Sequence, residues 1–224
     1  MNYRFSPMPG EFSEILFRLT PAYSWWPPTE AMRQEEEKFE LLGRLPAAPG
    51  PKFVFAHFLL PHPPWKFNAD GSRRLPSVAL AASETENYVE QVQYANAQIR
   101  KLIDTIARDS ARPPIILLAA DEGPELRYEG DGELSAEARI RKRSGILLAA
   151  RLPDRPAAEL LPPRSTPVNL FRTVLREYFA APLPPLDDRA YFWEPANALG
   201  KPEWSAAELH DVSEFVWPAE TADE

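Results

Sequence analysis

Apolar residues fall into two kinds of pattern along the chain, short continuous runs and helical stripes. The runs at 52–60, KFVFAHFLL, and at 115–120, IILLAA, are too short for a helix of this apolarity, which is typical of buried strands. The segment 144–151, SGILLAAR, predicts a third strand. Strands that are apolar on both faces indicate a parallel sheet.

Apolar residues at spacings of three and four predict three helices. The first covers 29–42, and the second, 83–110, begins at a capping box formed by Ser83 and Glu86. The third covers 166–179 and has proline at its first helical position. Its predicted inward face consists of Leu170, Phe171, Val174, Leu175 and Tyr178.

The order of these elements predicts an α/β fold with a mainly parallel sheet and flanking helices. A strand, a long helix and a second strand form a βαβ unit, whose crossover makes the two strands parallel. The chain has 26 prolines and 9 glycines, so stiff, irregular connections are expected between the elements. We assign 1–50 to a proline-rich extension with one helix, 51–195 to the α/β domain and 196–224 to an acidic tail.

Composition narrows the classes of function. The 224 residues carry a net charge of −8, and an acidic surface argues against nucleic acid as the main partner. The absence of cysteine excludes disulfides, thiolate nucleophiles and cysteine-based metal sites. The apolar runs are far shorter than the roughly 20 residues of a membrane span, and 1–12 lack the apolar core of a signal peptide. We therefore expect a soluble chain, whose compartment stays open.

Polar residues at two predicted strand ends are the candidate site. His57 and His62 lie in and just after the first strand, and Asp121 and Glu122 follow the second. Ligands of parallel α/β sheets gather at the carboxyl ends of the strands. Paired carboxylates suit a hard cation, and histidine can bind a metal or an anionic substrate.

Each of these residues also has a purely structural interpretation. Asp121 is equally well explained as a cap of the turn after its strand. His57 inside an apolar run is typical of a hydrogen-bonded core histidine. The basic run 139–143, RIRKR, can clamp an anion, but charge patterning favours a solvated flank.

Four ordered segments resemble one family, the membrane-associated sulfatase-like proteins of the alkaline phosphatase superfamily. The segment HFLLPHPP resembles that family's H-x-x-x-P-H-x-P block, and YVEQVQYAN resembles its Y-x-x-Q-x-x-Y-x-N helix. Further along, IILLAADEGP resembles a strand ending in D-H-G-P, and PVNLFR resembles a late P-V-N-x-F-R helix. The resemblance spans about residues 50 to 193.

The resemblance implies a metal-dependent hydrolase or transferase of sulfate or phosphate esters. In such enzymes a Ser, Thr or modified Cys attacks the ester while divalent ions hold the nucleophile and the developing charge. By position, Asp121 matches a metal ligand and His62 matches a histidine near the substrate. His57 matches the first histidine of the same block.

The chain departs from the family pattern in two places. The nucleophile and an acidic metal ligand are expected upstream of His57, but the preceding residues contain no strand followed by Ser or Thr. The catalytic half is therefore expected to be missing. Glu122 replaces the histidine of D-H-G, which would favour Mn, Mg or Ca over Zn or mark a site that has lost its metal.

Two functions follow from these matches and departures. The first is a truncated or degenerate domain without independent catalysis, which acts as a binding or structural module. The second is a working ester hydrolase, in which a separate chain supplies the missing strands and nucleophile. The partners would be an anionic ester or a complementing protein chain. An exposed sheet edge would also favour association of the chain into an oligomer.

Overall fold

The computed structural model describes residues 29–124, 128–129, 132–194 and 208–217. Its helices are α1 (Thr29–Arg44), α2 (Pro76–Ala81), α3 (Glu84–Asp109), α4 (Ala136–Ser144), α5 (Pro167–Phe179) and α6 (Ser213–Val216). Its strands are β1 (Ile116–Ala119), β2 (Tyr128–Glu129), β3 (Gly132–Glu133), β4 (Leu148–Arg151), β5 (Tyr191–Glu194) and β6 (Glu208–Asp211). The chain is therefore a mixed α and β protein. Residues 1–28 of the predicted extension and most of the predicted tail lie outside the described residues.

The three predicted helices are confirmed as α1, α3 and α5. At the start of α3, the Ser83 hydroxyl accepts a hydrogen bond from the Glu86 N–H at 3.2 Å, and the Glu86 carboxylate accepts one from the Ser83 N–H at 2.8 Å. Both halves of the capping box are therefore formed. None of the described helices combines the length and the apolarity that a membrane span requires.

The central apolar cluster joins α1 to α3 and to the loop before α2. Met32, Phe67 and Tyr94 are buried together, and Leu60 packs against them. The rings of Phe67 and Tyr94 are stacked with their centroids 4.0 Å apart. Burial raises the pKa of the Tyr94 phenol to about 12, and Glu36 adds to this effect.

A buried carboxylate lies beside this cluster on α1. Glu35 is only 3% exposed, and its carboxylate contacts the Lys38 ammonium at 3.1 Å and the Lys66 ammonium at 3.8 Å. Burial of a carboxylate is tolerated where cationic partners compensate its charge. The pair with Lys66 thereby ties the loop before α2 to α1.

The prediction of a buried strand at 52–60 is wrong. Residues 51–59 belong to no helix or strand, and 51–57 are exposed. The exposed fractions of Phe53 and Phe55 are 84% and 81%. An apolar run becomes a strand only when another strand pairs with it, and the described residues provide none next to this run.

The two central strands pair antiparallel, so the predicted parallel pairing is also wrong for them. In their register Ile116 lies opposite Arg151, and Ala119 lies opposite Leu148. The connection contains α4 and returns the chain to the end of β1, where the Ala120 N–H donates to the Leu147 carbonyl at 2.9 Å. Because β4 begins where β1 ends, the strands run in opposite directions. The other two described sheets, β2–β3 and β5–β6, are also antiparallel pairs.

Helix α5 buries a face different from the predicted one. Leu170 and Val174 are buried as predicted, but Phe171 and Leu175 are 48% and 37% exposed. The buried face instead includes Asn169 and Thr173. Polar residues can occupy such positions when their hydrogen bonds are satisfied, as those of Asn169 are by the segment that follows the helix.

Candidate functional site

The loop that contains His62 is held by one buried side chain of α3. Gln91 has no exposed surface, and its amide nitrogen donates to the carbonyls of Pro61 at 3.1 Å and His62 at 3.0 Å. Its amide oxygen accepts from the N–H groups of Lys66 at 2.7 Å and Phe67 at 3.4 Å. Both ends of the amide are therefore satisfied, and the loop is fixed to the helix.

The turn after this loop is fixed by a second polar group. The Arg74 guanidinium donates to the side-chain oxygens of Asn87 at 2.6 Å and Asn68 at 2.8 Å. The predicted turn at Asp70 and Gly71 is present, with Gly71 at φ +86° and the Ser72 N–H donating to Asp70 at 2.8 Å. The hydrogen bonds from Ser72 hold the pKa of Asp70 below its usual value.

The two ring nitrogens of His62 differ, because Nδ1 contacts a backbone carbonyl and Nε2 is the second polar atom of the ring. Its Nδ1 lies 2.6 Å from the Pro63 carbonyl oxygen, and the residue is exposed. Because a carbonyl only accepts, Nδ1 is the donor in this contact, which in the neutral ring leaves the lone pair on Nε2. A ring oriented in this way can accept a proton or bind a cation through Nε2.

His57 is not the core histidine that the pattern of an apolar run suggests. It is exposed, within the segment 51–59 that has no strand partner in the described chain. Exposure of His57 follows directly from the absence of the predicted strand.

Asp121 and Glu122 lie in the turn that follows β1, and both are exposed. The Asp121 carboxylate accepts a hydrogen bond from the N–H of the next residue, Glu122, at 3.0 Å, so this contact is local to the turn. The Glu122 carboxylate forms an ion pair with the Arg143 guanidinium at the end of α4. These contacts favour the structural interpretation of the acidic pair.

Arg143 and Gly123 complete this turn. The Gly123 N–H donates to the Arg143 carbonyl at 2.6 Å, and the Arg143 guanidinium donates back to the Gly123 carbonyl at 3.3 Å. A Cβ on Gly123 would clash with the Lys142 carbonyl oxygen, so no side chain fits there. The basic run therefore supplies a contact that closes the connection between β1 and β4.

Of the four predicted site residues, Asp121 and Glu122 are the predicted metal ligands, and both lie in the turn that follows β1. Across the described ranges, no three His, Asp or Glu side chains come together in a group that could hold an ion. A divalent cation beside Glu122 would also have to compete with the Arg143 guanidinium. As arranged, this turn offers two carboxylates, and that of Glu122 is already paired with Arg143.

No protein-family model, curated protein or solved structure matches this chain. The site is therefore interpreted from its own contacts.

Sequence reasoning missed several residues that organise these segments. Asp188 accepts hydrogen bonds from the Thr166 N–H and hydroxyl, both at 2.6 Å, and from the Asn169 amide at 3.0 Å. Asn169 also exchanges two hydrogen bonds with the backbone of Leu186. Gln91 and Asn169 both lie in the segments quoted for the family resemblance. The sequence signal for both is an amide side chain among the apolar residues of a helix. Such an amide is a candidate for burial, and a buried amide needs hydrogen-bond partners.

Proposed function

We propose that this chain is a sulfatase-like domain that lacks independent catalysis and works as a binding module for another protein chain. The proposal has two parts, a site that is not built for metal-dependent hydrolysis and a surface that is suited to a protein partner. Each part rests on a separate set of contacts.

The ion pair between Glu122 and Arg143 is the observation that carries the proposal. Glu122 occupies the position where the family resemblance expects a metal-binding histidine. Here its negative charge is compensated within the protein, and the adjacent Asp121 carboxylate accepts a backbone hydrogen bond. Carboxylates that already have such partners have less to gain from a cation.

Support for a binding role comes from the distribution of apolar surface. The buried apolar side chains among the described residues are Met32, Phe39, Phe67, Tyr94, Ala95, Leu152, Leu170, Val174 and Val212. Many large apolar side chains stay exposed, and on α5 four of them recur at helical spacing, namely Val168, Phe171, Leu175 and Phe179. Contiguous exposed apolar surface is typical of protein-binding sites.

The second candidate function is one half of a split, metal-dependent ester hydrolase. His62 favours it, because its ring is oriented by Pro63 and its loop is fixed by Gln91, as expected of a residue that binds substrate. In that case a complementing chain would supply the nucleophile, and the mainly parallel sheet would form with strands from that chain. Mn, Mg or Ca would be the expected ions.

Metal titration separates the two functions. We would titrate Mn, Mg, Ca and Zn by calorimetry into the wild type, Asp121→Ala and Arg143→Gln, with Arg139→Gln as the control for loss of one positive charge from α4. The proposal expects no stoichiometric binding by the wild type. Stoichiometric binding that Asp121→Ala abolishes, together with turnover of an aryl phosphate or aryl sulfate, would overturn it. Binding gained in Arg143→Gln alone would mean that the arginine suppresses the site.

A further inference from the structure

The turn at Asp70 and Gly71 contains a peptide unit that is chemically reactive in an unfolded chain. In an Asp-Gly sequence the glycine nitrogen can attack the carboxyl group of the aspartate, because glycine has no Cβ to obstruct the approach. Such a sequence occurs twice in the chain, at 70–71 and at 131–132, and Asp131 lies outside the described residues. The contacts of the folded turn therefore decide whether the reaction proceeds at Asp70.

Both reacting groups already have hydrogen-bond partners in this turn. The Gly71 N–H donates to the Asn68 carbonyl at 2.9 Å. The Asp70 carboxylate accepts from the Ser72 N–H at 2.8 Å, and the hydrogen bonds from Ser72 hold its pKa below the usual value. The reaction needs a neutral carboxyl group and a nitrogen that gives up its hydrogen. Each of the two contacts therefore opposes it.

The side chain of Asn68 ties the two ends of the turn together. Its amide nitrogen donates to the Ser72 hydroxyl at 2.9 Å and to the Arg73 carbonyl at 3.3 Å. Its amide oxygen accepts from the Arg74 guanidinium at 2.8 Å. The backbone adds a bond from the Asn68 N–H to the Ser72 carbonyl at 2.9 Å. We call the turn closed when these bonds are formed.

The closed turn is also attached to α3. The Glu90 carboxylate accepts a hydrogen bond from the Ala69 N–H at 2.6 Å. Gly71 lies against the Tyr94 ring, since a Cβ on this glycine would be 3.4 Å from the nearest ring carbon. Movement of the Gly71 nitrogen towards the carboxyl group therefore requires the turn to leave the helix.

We infer that Asp70 is a site of spontaneous isomerisation that reacts only when the turn opens. In the open turn the Gly71 nitrogen bonds to Cγ of Asp70, and the hydrogen of that nitrogen leaves with the carboxyl hydroxyl as one water molecule. The product is a cyclic imide. Water then cleaves one of its two carbonyl–nitrogen bonds, which gives either aspartate again or isoaspartate, whose backbone runs through the side chain. The water lost in the first step is regained in the second, so no co-reactant is consumed.

Isoaspartate would prevent the turn from closing again. It adds one carbon atom to the backbone between Asn68 and Ser72, which are hydrogen-bonded to each other in the closed turn. The same turn aligns the Arg74 N–H with the Lys66 carbonyl at 2.9 Å. Because Lys66 belongs to the loop that carries His62, the modification would loosen that loop as well. The fraction of isoaspartate thus records how often the turn has opened.

Mass spectrometry of peptides from the full chain tests the inference. We would incubate the wild type in buffer and in guanidinium chloride at the same pH, and measure isoaspartate in the peptide that contains Asp70. Isomerisation should be at least about ten-fold slower in buffer, as expected if the folded turn is open for less than about a tenth of the time. The peptide that contains Asp131 is resolved separately and does not enter the comparison.

Asn68→Ala should accelerate the reaction in the folded protein. The substitution removes the side-chain bonds that close the turn and leaves the Asp-Gly sequence intact. We expect the rate in buffer to rise by about five- to thirty-fold and the rate in guanidinium chloride to stay the same. Asn96→Ala is the matched control, because Asn96 is exposed on α3, and it should change neither rate. Circular dichroism checks that both variants are folded.

Three results would overturn the inference. These are equal rates for the wild type in buffer and in guanidinium chloride, no isoaspartate at position 70 in guanidinium chloride, and a folded Asn68→Ala that isomerises at the wild-type rate. The wild-type comparison needs no variant, so it decides the inference even if Asn68→Ala does not fold. None of these results bears on metal binding or ester turnover, which decide the proposed lack of catalysis separately.

Discussion

The Glu122 carboxylate and the Arg143 guanidinium form an ion pair that links the end of β1 to the end of α4. The same arginine exchanges two hydrogen bonds with the backbone of Gly123. The acidic turn that resembles a metal site is therefore part of the connection that makes β1 and β4 antiparallel. The negative charge of Glu122 is compensated because its carboxylate takes part in this connection.

Replacement of Gly123 by alanine should destabilise this connection. The new Cβ would clash with the Lys142 carbonyl oxygen, so the turn and the end of α4 must move apart. We expect a loss of about 1–3 kcal/mol in the free energy of unfolding, as for other overpacked sites, measured by urea denaturation. Gly43→Ala is the control: the nearest atoms to its new Cβ are 3.8 Å away, and alanine favours a helix interior, so it should be neutral or stabilising. Equal effects of the two substitutions would contradict the proposed close contact.

Gln91→Leu should release the loop that carries His62. The substitution removes four hydrogen bonds to the loop backbone, three of them part-buried and the one to Phe67 buried. We expect a loss of about 2–4 kcal/mol, since each buried group without a partner costs about 1–3 kcal/mol and part of this cost is relieved by relaxation. Gln93→Leu, at an exposed position two residues further along α3, should change stability by less than about 0.5 kcal/mol. If the two variants unfold at the same urea concentration, the loop is not held by Gln91.

Asp188→Ala should destabilise the start of α5. The Asp188 carboxylate accepts hydrogen bonds from Thr166 and Asn169, which are both buried. Its removal takes this acceptor from the Thr166 N–H and hydroxyl and leaves the Asn169 amide with the Leu186 carbonyl alone. We expect a loss of about 2–3 kcal/mol by thermal or urea unfolding. The neighbouring Asp187 is a matched control, because its side chain is 84% exposed and pairs only loosely with Arg189 at 3.5 Å. If Asp187→Ala destabilises the protein as much as Asp188→Ala, the hydrogen bonds that Asp188 accepts from Thr166 and Asn169 do not account for the loss.

Tyr94 should make stability fall at alkaline pH. Burial raises the pKa of its phenol to about 12 in the folded chain, above the ordinary value of 10.0. A group with a raised folded pKa contributes its full stabilisation below the unfolded pKa, here about pH 10, and this contribution is lost as the pH rises towards 12. The unfolding free energy of Tyr94→Phe should therefore fall less steeply than that of the wild type between these values. The absorbance of tyrosinate gives an independent readout, since the Tyr94 phenol should ionise above its ordinary value of 10.0 in the folded protein.

The helices could be predicted from the sequence because their signals are local. The spacing of apolar residues and the Ser83–Glu86 capping box lie within the helix that they specify, and both are present in α3. The strands β1 and β4 were also predicted, but their direction was not. Direction depends on the path of the connection, and that path is set by contacts such as the one between Gly123 and Arg143, about twenty residues apart in the chain.

The apolar run at 52–60 shows why the remaining fold could not be predicted. Its composition is that of a buried strand, but a strand also needs a neighbour, which no property of the run itself specifies. In the site, the bond that Asp121 accepts from the Glu122 N–H is local to the turn. The pairing of Glu122 with Arg143 and the four bonds of Gln91 depend on tertiary structure, so the local sequence pattern could not reveal them.

The attachment of the His62 loop to Gln91 has a consequence for the order of events during synthesis. The Lys66 N–H finds its acceptor on a residue 25 positions later in the chain. On the ribosome the loop therefore emerges before the helix that holds it, and it stays unanchored for the one to five seconds that translation of about 25 residues takes. During that interval the apolar run at 52–60, just before the loop, can bind chaperones or other nascent chains. The yield of folded protein should therefore depend on the rate at which α3 is translated.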